Sequence, residues 1–109
     1  MSNWTHVAGI IRIDDLGKCF GGKPLNFAKI IEPLPSGSEG SLTMTVWENP
    51  DKSCAFSYVV SIFGDLRDHH SADEIVEWFK ETCTKFAVRD AAITAQNEWN
   101  GTVNWFYEE

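Results

Sequence analysis

The stretch CAFSYVVSIFGDLRDHHSADEIVEWFKETCTKF, residues 54–86, runs a long strand pattern through a short polar segment into a fully signalled helix. Phe56, Tyr58, Val60 and Ile62 alternate with Ala55, Ser57, Val59 and Ser61. A period of two over that length marks a strand with one buried face. Gly64 is expected to break the strand, leaving Asp65-Leu66-Arg67-Asp68-His69-His70 as a polar loop. Ser71 and Glu74 stand three apart ahead of an apolar-periodic run, the signature of a capping box, and predict a helix over 71–86. Ile75, Val76, Phe79, Cys83 and Phe86 share one stripe of it, with Asp73, Glu77, Lys80, Glu81 and Thr84 on the far side. Such a helix needs a sheet to lie on.

The segments on either side supply that sheet. Val7, Ile11 and Ile13 share one face of a first strand with Gly9 between them, and His6, Ala8, Ile10 and Arg12 share the other. Lys23-Pro24 can open a second helix over 23–32, with Leu25, Ala28 and Ile31 as its apolar positions, because proline loses nothing at the first helical position. Residues 33–40, PLPSGSEG, read as a flexible, turn-forming surface loop. Leu42, Met44 and Val46 alternate with Thr43, Thr45 and Trp47 in a half-buried strand, and Asn49-Pro50-Asp51-Lys52 has the chemistry of a type I turn leading into the next. Val88 to Glu98 and Thr102 to Tyr107 flank Asn100-Gly101, the strongest short hairpin signal.

The order is strand, weak helix, hairpin, helix, hairpin. It predicts one α+β domain over residues 1–109, a ferredoxin-like split β-α-β sandwich with an antiparallel sheet of about five strands. One sheet face is expected to stay open, polar with an embedded aromatic: His6, Arg12, Thr43, Thr45, Trp47, Ser57, Ser61, Thr94 and Gln96.

Composition narrows the function classes. The chain has 109 residues, 43% of them hydrophobic and 13% aromatic, enough to build a core without disulfide staples. Three cysteines, Cys19, Cys54 and Cys83, without any C-x-x-C spacing argue against a disulfide framework or a zinc site and fit a reducing compartment. The N-terminus has neither a basic n-region nor an apolar h-region, and no apolar run reaches a membrane span. The expected setting is the cytoplasm. Net charge is −7, and residues 65–109 hold ten acids against four bases, a field that repels nucleic acid and attracts basic protein surfaces.

Gly17-Lys18-Cys19-Phe20-Gly21-Gly22-Lys23 satisfies the phosphate-loop spacing, but Pro24 stands where a magnesium-binding hydroxyl is needed. What remains is an anion or small ligand resting on Gly21, Gly22 and Lys23, or on Arg67, His69 and His70. His69 and His70 are adjacent and diverge, and no H-x-x-x-H spacing exists, so no metal and no cofactor is expected. No pair of groups with opposed pKa demands is visible either, so the chain reads as no enzyme.

The segments PLPSGSEGSL at 33–42 and IFGDLRD at 62–68 resemble those of small phage and prophage proteins. That resemblance implies a compact acidic accessory protein of the host cytoplasm that interacts with a host factor. The leading expectation is an acidic protein-interaction module, a phage-type accessory protein or an inhibitor of a host factor, whose contact residues are Trp47, Asp73, Glu74, Glu77, Trp78, Glu81, Trp99 and Trp105, with homo-oligomers forming through the Thr102 to Tyr107 edge. The alternative is a protein that sequesters a small molecule or nucleotide.

Overall fold

The computed structural model describes residues 2–14, 26–31, 33–50, 57–68 and 71–108. It is an α+β structure: strands β1 (Trp4–Asp14), β2 (Thr43–Glu48), β3 (Ser57–Arg67), β4 (Val88–Asn97) and β5 (Gly101–Phe106), with helices α1 (Phe27–Ile31) and α2 (Ala72–Cys83). The sheet order is β2-β3-β1-β4-β5, and every neighbouring pair is antiparallel.

The core lies between one sheet face and the helices. Val7, Ile11 and Ile13 of β1, Tyr58, Val60, Ile62 and Leu66 of β3, and Ala91, Ile93 and Ala95 of β4 point into it. Ile75, Val76, Phe79 and Cys83 of α2 meet them. Ser71 caps α2 as expected, its extended backbone placing the hydroxyl 3.4 Å from the Glu74 amide that donates to it. The helix ends where the Thr84 hydroxyl donates to the Glu81 carbonyl at 2.6 Å. Phe79 is fully buried; removing such a ring from water contributes about 1.5–3 kcal/mol.

Gly64 does not break β3. The strand runs on to Arg67 because Gly64 takes a φ of +149° opposite Val7, and Leu66 is then buried completely opposite Thr5. Asp65 and Arg67 are therefore strand residues, and the turn is made by Asp68 at φ 55°. Residues 33–40 are no loose loop either. Ser38 N–H donates to the Arg67 carbonyl at 2.8 Å and Arg67 N–H to the Glu39 carbonyl at 3.0 Å, so the segment clamps onto the end of β3. In α1, Phe27 and Ile31 form the buried pair and Ala28 is exposed, since the i, i+4 spacing of the larger side chains outweighs the expected Ala28 stripe. Phe27 packs edge-on to Tyr58 and stacks on Phe86.

β2 and β3 form the expected hairpin, but residues 51 and 52 of the expected type I turn lie outside the described residues, as do Cys54, Ala55 and Phe56. The β4–β5 connection is a three-residue turn, Glu98 to Asn100, with Gly101 at φ 90° opening β5. Asn97 organises it. Its Oδ1 accepts from the amides of Trp99 and Asn100, and its Nδ2 donates to Thr5 Oγ1 at 2.9 Å.

Candidate functional site

Among the described residues nothing covers the sheet face turned away from the helices, and the strand registers fix what it displays. Thr43, Phe63, Ala8, Thr94 and Asn104 form one row across the five strands; Thr45, Ser61, Ile10, Ala92 and Phe106 form the next. A third row holds Trp47, Val59, Arg12 and Asp90. Side chains diagonal to one another on a sheet face are within reach. Trp47, Val59, Ile10, Ala92 and Phe106 thus make an apolar diagonal to which every strand contributes one residue, with Phe63 beside it. Exposures of 55% for Trp47, 49% for Ile10, 44% for Phe63 and 67% for Phe106 show that none of the described residues covers it.

This corrects the expected polar face. His6, Arg12, Thr43, Thr45, Trp47, Ser61, Thr94 and Gln96 do lie on it, but Ser57 is buried, its hydroxyl accepting from Asn49 Nδ2 at 3.2 Å. The missed residues are Ile10, Val59, Phe63, Ala92 and Phe106. A signal existed in Gly9-Ile10-Ile11, where apolar residues occupy both phases of a strand.

Acids rim the face. His6 Nδ1 lies 2.7 Å from Asp65 Oδ1 and His6 Nε2 lies 4.0 Å from Glu98 Oε2. His6, Ala8, Phe63, Asp65, Thr94 and Gln96 line a shallow depression of about 460 Å³, and Ile10, Arg12, Val59, Asp90 and Ala92 line a smaller one of about 200 Å³. A His–carboxylate pair is part of a nucleophile-activating arrangement, but the neighbouring Thr94 hydroxyl donates to Asn104 Oδ1 at 2.7 Å instead. Among the described residues no three His, Cys, Asp or Glu side chains are grouped to hold a metal ion.

The residues expected to bind a partner fall on separate surfaces. Trp47 is on the open face; Trp99, 62% exposed, is at the tip of the β4–β5 turn. Asp73, Glu74, Glu77 and Glu81 project from the outer side of α2, with Trp78 half-buried among them. Trp105 faces the helix layer, edge-on to Phe79 at 5.9 Å and under Lys80 Nζ. Of the ligand candidates, Gly21, Gly22, Lys23, His69 and His70 lie outside the described residues. Arg67 is held by Glu39 at 2.6 Å and by Asp68 at 3.7 Å. Asp68 also receives the Asn3 amide and the Ser38 hydroxyl. The Asn3 amide above all, with the Ser38 hydroxyl and the Arg67 guanidinium adding to it against some desolvation, holds the Asp68 carboxyl below its ordinary range.

The fold and the site define an α+β protein with one sheet face open and an apolar diagonal across it. No helix among the described residues is long and apolar enough to cross a membrane. Neither a protein-family model, nor a curated protein, nor a solved structure matches the chain.

Proposed function

We propose that this chain is a non-enzymatic protein-interaction module that seats a basic-surfaced protein partner on its open sheet face. The observation that carries the reading is the diagonal Trp47-Val59-Ile10-Ala92-Phe106, contiguous only because five strands pair in register. A contiguous exposed apolar patch of this kind marks interaction surfaces. Asp65, Glu98, Asp90 and Asp14 around it, against Arg12 and Arg89 among the described residues, favour a basic rim on the partner. The net charge of −7 and the acids on α2 add long-range attraction for the same class of surface. A phage-type accessory protein working in the host cytoplasm is a setting that suits such a module.

The backbone plan is proposed to be a ferredoxin-like split β-α-β sheet extended by β5. Support comes from β1 and β2 running parallel with β3 between them, and β3 and β4 running parallel with β1 between them. The five-residue α1 and the added strand are departures from that plan.

The test is affinity capture with the wild-type chain and with Ile10→Ser/Phe106→Ser, across a range of ionic strength. A partner held by wild type, lost by the double variant and weakened by salt supports the reading. Capture that is indifferent to both contradicts it.

A further inference from the structure

We infer that the outer edge of β5 receives an extended segment of the basic partner as an added strand. The inference rests on the reading above for the partner's charge, and goes beyond it in naming a second contact surface and the conformation bound there. The Tyr107 amide donates to the Ala91 carbonyl at 2.9 Å, one step beyond the Ala92–Phe106 pair, so Ala91 and Tyr107 form a hydrogen-bonded pair. Such pairs alternate along an antiparallel ladder, so Val103 and Trp105 also bond to β4 while Thr102, Asn104 and Phe106 turn their amides and carbonyls outward. Among the described residues no strand lies beyond β5.

The two edges of the sheet differ. β2 is covered at its start, where the Leu42 amide donates to the Pro35 carbonyl at 3.2 Å and Ser36 bridges to Ser41. β5, GTVNWF, carries no charged residue and no proline, and it pairs with β4 without a bulge, so nothing in the strand itself turns a neighbour away. Two hollows flank it. Phe86, Trp105, Tyr107 and Cys83 line one of about 470 Å³ on the helix side. The other, of about 350 Å³, lies where Asn104 and Phe106 of the open face meet Trp105 and Glu108. An added strand sends alternate side chains to opposite faces. Its cross-strand neighbours of Trp105 and Tyr107 therefore reach the aromatic hollow, and that of Phe106 prolongs the apolar row Ile10-Ala92-Phe106.

Charge decides the occupant. A second copy would bring one body of net charge −7 against another. Lys80, the cation at the aromatic hollow, is already paired with Glu77 at 3.1 Å, and Glu108 is exposed at the end of the edge. Among the described residues, the charge left facing an incoming chain is therefore acidic. A segment that is apolar over the two hollows and carries lysine or arginine at its ends complements it.

The test uses the full chain and a synthetic peptide of alternating valine and threonine with a central phenylalanine, flanked by lysines. On binding, the amides of Thr102, Asn104 and Phe106 should gain protection from hydrogen exchange, while those of Val103, Trp105 and Tyr107, already bonded to β4, should change little. Asn104→Pro removes one outward amide at a site where an edge strand tolerates proline, and should raise the peptide's Kd at least ~10-fold. Asn104→Ala loses the side-chain bond to Thr94 but keeps the amide, and should bind as wild type does. N-methylation of alternate peptide amides should abolish binding in one phase and spare it in the other, a readout that needs no variant of the protein. Protection spread over both sets of β5 amides, binding indifferent to Asn104→Pro and to methylation, or no binding at all overturns the inference, as does sedimentation in which a second copy closes this edge. The open-face reading fails separately, if Ile10→Ser on β1 leaves capture of the partner unchanged.

Discussion

A β-carbon placed on Gly9 would stand 2.9 Å from Cε1 of Phe79 and 3.3 Å from Cγ1 of Ile93. The central strand is therefore bare at the one point where the helix drives its largest buried ring against the sheet. Gly9→Ala should cost about 1–3 kcal/mol, the range for overpacking a filled core, measured as a shift in the urea midpoint at unchanged slope. Pairing it with Phe79→Leu should recover part of that loss in a double-mutant cycle, since the smaller side chain vacates the space.

Asn97 ties the β4–β5 turn to the first strand. It is buried, serves two turn amides and donates to Thr5. Asn97→Ala leaves the buried Thr5 hydroxyl and both amides without this partner. The expected loss is about 2–3 kcal/mol by chemical denaturation, since an unsatisfied buried group costs its desolvation as well as its bond. Asn97→Asp should keep the turn amides and reverse the bond, with the Thr5 hydroxyl donating to a buried carboxylate, and fall between.

Asp68 links the clamp at residues 33–42 to acid stability. Its carboxyl is held below the ordinary range, chiefly by the Asn3 amide. The unfolded chain then takes up a proton at higher pH than the folded one, so stability is fully present above the unfolded pKa and is lost as pH falls through the folded one. Asp68→Asn, which tolerates the left-handed backbone at this position, should remove that contribution. The gap in unfolding midpoint between wild type and variant should be widest near neutrality and close in acid. A gap constant with pH would contradict the assignment.

Burial pushes the Cys83 thiol up from 9.0 to about 11. At neutral pH it is a protonated side chain in the core, and the nucleophilic thiolate is scarce. Iodoacetamide at pH 7 should leave the Cys83 peptide unmodified in the native protein and label it after unfolding. With a raised folded pKa, its contribution to stability is complete below pH 9.0 and is lost as pH rises through about 11. Cys83→Ala should show a flatter alkaline limb than wild type.

What the sequence disclosed follows from which forces are local. Ser71, Glu74 and the Ile75-Val76-Phe79-Cys83 stripe specify α2 within a few turns of chain, and the alternation at Tyr58-Val60-Ile62 specifies the buried face of β3. Gly64 misleads because glycine ends strands as readily as it passes through them. Only the pairing with Val7 and the burial of Leu66 decide which. The site was less legible for the same reason. Trp47, Val59, Ile10, Ala92 and Phe106 are neighbours through strand order, so no window of sequence holds more than one of them. His6 and Asp65 likewise meet only because β1 pairs with β3 in a register that sets them side by side.

Photocrosslinking from the open face tests the central claim most directly. A benzophenone side chain in place of Ile10 sits in the middle of the apolar diagonal, and one in place of Glu77 sits on the opposite, helical layer as the control. Irradiation in the native cell should give a discrete adduct with another protein from position 10, lost when Phe106→Ser is added, and a weaker one or none from position 77. Adducts only from position 77, or none from position 10, would contradict a docking role for the sheet face.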